Sequence, residues 1–177
     1  MAIPSKGIGW GTEENLLWQI SKQLERLTGV TYKAGNTQVP SSNLVAAKLA
    51  TNQTITAGAD TIINIAATEN PQSWFNNSTH KFTPTIEGYY NISYSVLWGT
   101  GTGTGQMNTQ ISKNGTTQLY IAQNQMNTTI GLTQSGSVIV YLNGTTDYIT
   151  ITGYTSSANG SQTIQGGAGT LFNAFLI

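Results

Sequence analysis

From Tyr90 to Val96 the chain alternates without a break. Tyr90, Ile92, Tyr94, Val96 and Trp98 take every second position, with Asn91, Ser93 and Ser95 between them. Side chains of a strand point to opposite faces in turn, so this is a long strand with one apolar face and one polar face. Such a strand requires a second apolar layer to cover it. Further strands are expected at residues 43–49, within 54–66, and at 107–112, 118–123, 129–133, 137–142, 148–154, 163–164 and 170–177. A turn is expected near Gly58 and Asp60. Asn114-Gly115 is a hairpin signal, and Asn143-Gly144 splits the strands at 137–142 and 148–154. Many short strands separated by polar turns indicate a mainly β fold, an antiparallel sandwich.

The long strand also ends a wider pattern. Asn70 is followed after four residues by Phe75, after six more by Phe82, and after five more by Gly88; Tyr90, Ile92 and Tyr94 then alternate. This spacing resembles the signature of the complement-type globular head domain, a jelly roll related to the tumour-necrosis-factor fold. The family has Phe where this chain has Asn64 and Ile92. The last residues, Phe172-Asn173-Ala174-Phe175-Leu176-Ile177, are similar to the family's closing aromatic strand, with Ala for the usual Gly. The resemblance covers residues 42–177. It implies a jelly-roll head that forms a homotrimer, with surplus aromatic surface packed around the three-fold axis. Tyr89, Tyr90, Tyr94, Phe172 and Phe175 are the expected interface residues. Tyr89 lies opposite the apolar face, and an alternating strand cannot bury both faces in one small core.

The first 33 residues are unlike the rest. They carry seven of the fourteen charges, Lys6, Glu13, Glu14, Lys22, Glu25, Arg26 and Lys33. Thr12 can cap a helix, Glu13 and Glu14 suit its first turn, and Gly29 can end it. Leu17, Ile20, Leu24 and Leu27 recur at three, four and three residues, the seam of a short coiled coil. A lone helix of that length is marginal in water, so it needs partners. Trp10 and Trp18 stand off the seam and are expected to dock the chain onto another protein. The expected organisation is an N-terminal attachment peptide and short α-helix at 1–33, a linker at 34–41, and the jelly-roll head at 42–177. A Gly/Trp peptide followed by such a helix also looks like the N-terminus of phage virion proteins, where it fastens a trimeric fibre or decoration protein to the particle. No collagen-like tract precedes the head, which argues against an animal complement-type protein.

Composition excludes several classes. Net charge is zero and only 8% of residues are charged, so no basic face for nucleic acid is expected. No apolar run approaches membrane-spanning length, and no apolar segment follows Lys6 to make a secretory signal. With no Cys and one His, neither thiol chemistry nor a shared imidazole is available. His80 is expected to be a solvated loop residue. The glycine run from Gly99 to Gly105 joins two strands, whereas a dinucleotide fingerprint opens a helix. Glu13 and Glu14 diverge on a helix, and Asp60, Glu69, Glu87 and Asp147 are scattered, so neither an acid–base pair nor a calcium cluster is expected. The Asn-x-Ser/Thr triplets follow from an Asn- and Thr-rich composition and imply no glycan.

Taken together, the expected protein is no enzyme, holds no cofactor or metal, and is a structural virion component. It is a homotrimeric phage head fibre or capsid-decoration protein, assembled in the host cytoplasm and exposed on the particle surface. Its N-terminal segment contacts capsid or tail proteins, and host-surface glycan is a further expected partner of the head. The alternative is the receptor-binding tip of a tail fibre, binding glycan or hydrolysing it.

Overall fold

A computed structural model describes residues 43–100, 104–125 and 130–177. The expected attachment peptide, helix and linker, with Trp10, Leu17, Trp18, Ile20, Leu24 and Leu27, lie outside the described residues. Thirteen strands run through the rest: β1 (Leu44–Lys48), β2 (Gln53–Thr56), β3 (Thr61–Ile62), β4 (Ala66–Glu69), β5 (Phe75–Asn76), β6 (Lys81–Phe82), β7 (Glu87–Trp98), β8 (Gln106–Lys113), β9 (Thr117–Gln125), β10 (Leu132–Asn143), β11 (Ile149–Thr155), β12 (Ser161–Ile164) and β13 (Leu171–Leu176).

The strands form two antiparallel sheets. One has the order β2-β12-β7-β13-β1-β4, with β10 along the other edge of β7; the second has the order β5-β6-β11-β8-β9, with β3 also on β11. The long alternating segment is thus a central strand, gripped by β10 over its whole length and by β13 on the opposite side. Non-consecutive neighbours in both sheets make this the expected jelly-roll sandwich.

Burial follows the alternation. Tyr90, Ile92, Tyr94, Val96 and Trp98 all face the interior, against Met107, Ile111, Ile149 and Ile151 of the second sheet. The spaced pattern around them has a common physical purpose. Phe82 stands 5.6 Å from Tyr90 and 6.1 Å from Phe172, ring centre to ring centre, and Phe75 stands 5.8 Å from Phe172. Trp74 closes the cluster edge-on to Phe82 and Tyr90. Offset and edge-to-face contacts of this kind contribute beyond the area they bury. Asn70 pins the loop that delivers Phe75: its amide donates to the Phe75 carbonyl at 2.9 Å, and its oxygen accepts from the Phe75 N–H at 3.1 Å.

Residues 54–66 hold strands on both sides of the expected turn: β2, β3 and the start of β4, with Gly58 at φ 86 in the turn. Two other local expectations change. The separate strands expected at 129–133 and 137–142 are one strand, β10, and β5 and β6 are additional short strands. The joining residue is Gly136. It stays in register opposite Tyr94, and a Cβ there would fall 2.3 Å from the Tyr120 ring. Gly136 therefore leaves room for an aromatic ring and does not end the strand.

Candidate functional site

The outward face of the first sheet departs from the usual polar exterior. In β10 the run Val138-Ile139-Val140-Tyr141-Leu142 is apolar at every position. Alternation sends Val138, Val140 and Leu142 inward and leaves Ile139 and Tyr141 outside. Tyr141 pairs with Tyr89 across β7, their rings 5.6 Å apart, and Ile139 and Phe175 flank Asn91 from its two sides. Tyr89 is 61% exposed, Ile139 60%, Phe175 46% and Tyr141 44%. Four large apolar side chains thus share one patch over β10, β7 and β13. Contiguous exposed apolar patches of this kind mark interaction sites.

Polar groups frame it. The Tyr141 hydroxyl donates to Glu87 Oε2 at 3.4 Å, and the Glu87 carboxylate holds the Tyr141 phenol above its ordinary range. Ser137 donates to Asn91 at 3.0 Å. The Ile177 N–H donates to the Tyr89 carbonyl at 2.9 Å, which fixes the chain end beside the patch.

The expected aromatic interface is redistributed. Tyr90, Tyr94 and Phe172 lie inside the sandwich and belong to the protomer's own core, so they are withdrawn as surface contacts. The cause is their register: each faces the second sheet. Tyr89 and Phe175, on the other parity, remain. Sequence reasoning missed Ile139 and Tyr141, although the unbroken apolar run of β10 signalled a strand with two apolar faces.

The remaining expected positions offer little chemistry. His80 is half-buried, with φ 55, and its Nδ1 lies 2.8 Å from the Ile65 carbonyl oxygen, so it is a loop-fixing residue and not a solvated one. Asp147 is taken up by Lys113 at 2.7 Å and Asn114 at 2.8 Å. Among the described residues no three His, Asp or Glu side chains gather as metal ligands.

The sequence profile of the C1q domain matches residues 14–177. The chain belongs to the C1q domain family. Among solved structures, this C1q domain is similar to the globular domain of zebrafish complement 1qA, with 14% identity and a TM-score of 0.56 over 76% of this chain and 96% of that one. It is also similar to murine APRIL, with 14% identity and a TM-score of 0.56 over 76% of this chain and 99% of the other. Eiger TNF from S. frugiperda shares the fold at 9% identity, with a TM-score of 0.52 over 76% and 93%. No curated protein matches. At these identities the structural likeness establishes a shared C1q/TNF-like fold.

Proposed function

We propose that this C1q-domain protein is a homotrimeric structural component of a phage particle, a head fibre or capsid-decoration protein. Its N-terminal segment attaches it, and its jelly-roll head faces outward. The observation that carries the trimer is the outward patch of Tyr89, Ile139, Tyr141 and Phe175. It is an apolar surface on a chain of zero net charge, so three copies meet without net repulsion. Support for attachment comes from the break in composition after residue 33 and from the incomplete seam of Leu17, Ile20, Leu24 and Leu27. Both features suit a segment completed by other chains. The reading is of a binding and structural protein and not of an enzyme. Its carboxylates at Asp60, Glu87 and Asp147 are each engaged by a different neighbour.

The test is incorporation. Particles assembled with the full chain and with a chain lacking residues 1–30 are purified and imaged by electron microscopy. The full chain is expected on the particle surface, and the shortened chain is expected to fold and remain in the supernatant. Equal uptake of the two chains would remove the proposed division of labour.

A further inference from the structure

The outer face of the second sheet carries a different feature. Polar side chains on a solvent face are ordinarily exposed, yet Thr150 is 3% exposed, Gln110 4% and Ser112 6%. They are sunk because they form the floor of a groove of about 250 Å³. Register places them together: Thr150 pairs with Ser112 across β11 and β8, and Thr152 pairs with Gln110. A bulge in β9 sets the far wall. Ile111 pairs with Tyr120 but Ser112 pairs with Gln118, so Leu119 is the additional residue and Gln118 is turned onto the groove face. Bulges often re-aim a side chain beside a site. At one end Tyr148 forms a wall, with Lys81 Nζ 3.9 Å from its ring centre. Asp60 stands in another wall and accepts from the Gln110 amide at 2.9 Å.

Of the floor residues, Gln110 is engaged by Asp60. Neither the Ser112 hydroxyl nor the Thr150 hydroxyl makes a hydrogen bond to another described residue, and nor does the Gln118 amide. One acid and one base leave the groove without net charge, which disfavours a phosphate or a polyanion. A single carboxylate suits neither a hydrolytic pair nor a divalent cation. Hydroxyl and amide groups beside one aromatic wall match a ligand with many hydroxyls and a C–H face. The volume lies just below the usual range for drug-sized ligands, roughly 300–1,000 Å³, and so suits about one sugar ring.

We propose that this groove binds a neutral saccharide residue. Gln110, Ser112, Thr150 and Gln118 supply the hydrogen bonds, and Tyr148 supplies the apolar wall. This names the ligand class for adhesion to a host surface and rests on the virion reading for its biological setting alone.

Saturation-transfer NMR of the full chain tests it. Glucose, galactose, mannose, rhamnose, N-acetylglucosamine and N-acetylgalactosamine are offered one at a time, with inorganic phosphate in competition. At least one sugar is expected to receive saturation, undiminished by phosphate. Thr150→Val and Ser112→Ala each remove an unpartnered hydroxyl at nearly constant shape, and each is expected to weaken that sugar about tenfold, the effect of one lost hydrogen bond. Tyr89→Ser, on the opposite sheet, is expected to leave binding within about twofold. Absence of transfer from all six sugars overturns the proposal. So does displacement by phosphate, or a sugar that binds the Thr150→Val and Ser112→Ala proteins unchanged. A trimeric, particle-bound protein that takes no sugar defeats this inference alone. A sugar-binding protein absent from particles defeats the virion reading alone.

Discussion

Gln134 is the polar hub of an otherwise apolar interior. Its Oε1 accepts from Trp98 Nε1 at 2.9 Å and from the Thr109 hydroxyl at 2.6 Å, while its Nε2 donates to the Met107 carbonyl at 2.8 Å and to Asn124 Oδ1 at 3.0 Å. Trp98 also donates to Thr109 at 3.0 Å. The network joins β7 and β10 of one sheet to β8 and β9 of the other, and it satisfies an indole N–H that the core would otherwise strand. Gln134→Leu keeps most of the volume but strips partners from Thr109, Met107 and Asn124. The expected loss is about 2 kcal/mol, read as a lower urea midpoint with unchanged slope. A midpoint equal to that of the unaltered protein would mean that water replaces the amide. At this scale the shared face of Tyr90, Ile92 and Tyr94 was legible in the sequence, because alternation along a strand fixes it. The rings they meet were not, and Tyr90 and Phe172 were expected at the trimer interface. Phe75, Phe82, Tyr90 and Phe172 instead meet one another. Gln134 was not legible. A buried amide is recognisable only through partners that lie 10 to 36 residues away in the chain.

Between elements, one carboxylate ties the two Asn-Gly turns together. Asp147 follows the turn after β10. It accepts from Asn114 in the β8–β9 turn, from Lys113 at the end of β8, and from the Asn143 backbone. Asn143 in turn accepts the N–H groups of Thr145, Thr146 and Asp147, and Asn114 accepts that of Tyr148. The hydrogen bond from Asn114, then that from Lys113, hold the Asp147 carboxyl below its ordinary value. A carboxylate whose folded value is depressed stabilises the fold above its unfolded value, near pH 4, and loses that contribution as pH falls through the folded value. The unaltered protein should therefore lose stability on acidification below about pH 4 more steeply than Asp147→Asn does. Thermal melts of both proteins between neutral and acid pH measure this. Parallel curves would remove Asp147 from the account. Both Asn-Gly turns were legible as turns, with Asn114, Gly115 and Gly144 at φ of 56, 73 and 68. Only Asn114-Gly115 closes a hairpin, β8 to β9; Asn143-Gly144 carries the chain from β10 to β11 in the other sheet. The length of β10 was not legible, because Ser135-Gly136-Ser137 reads as a break unless the ring of Tyr120 over Gly136 is known.

For the whole molecule the decisive matter is what covers the patch on the first sheet. Its members come from three strands, brought together by pairing and not by nearness in sequence. Tyr89 and Phe175 could be suspected from parity, but their union with Ile139 and Tyr141 exists only once β10 lies against β7. The groove on the opposite sheet was hidden for the same reason. Its floor joins β8 to β11, and a bulge in β9 completes it. If the patch is the surface through which three copies meet, removing its centre should dissolve the trimer and leave each protomer folded. The residues concerned face solvent, so the core does not depend on them. Tyr89→Ser combined with Ile139→Ser is the direct test, made on residues 42–177 alone and on the full chain. Light scattering is expected to give a trimer mass for the unaltered head and a monomer mass for the altered one, with unchanged β content by circular dichroism. In the full chain, the altered protein is expected to associate weakly through its N-terminal segment, so its mass should fall on dilution. Should the unaltered head already be a monomer at micromolar concentration, association belongs to the N-terminal segment. The patch would then have to be covered by a different protein.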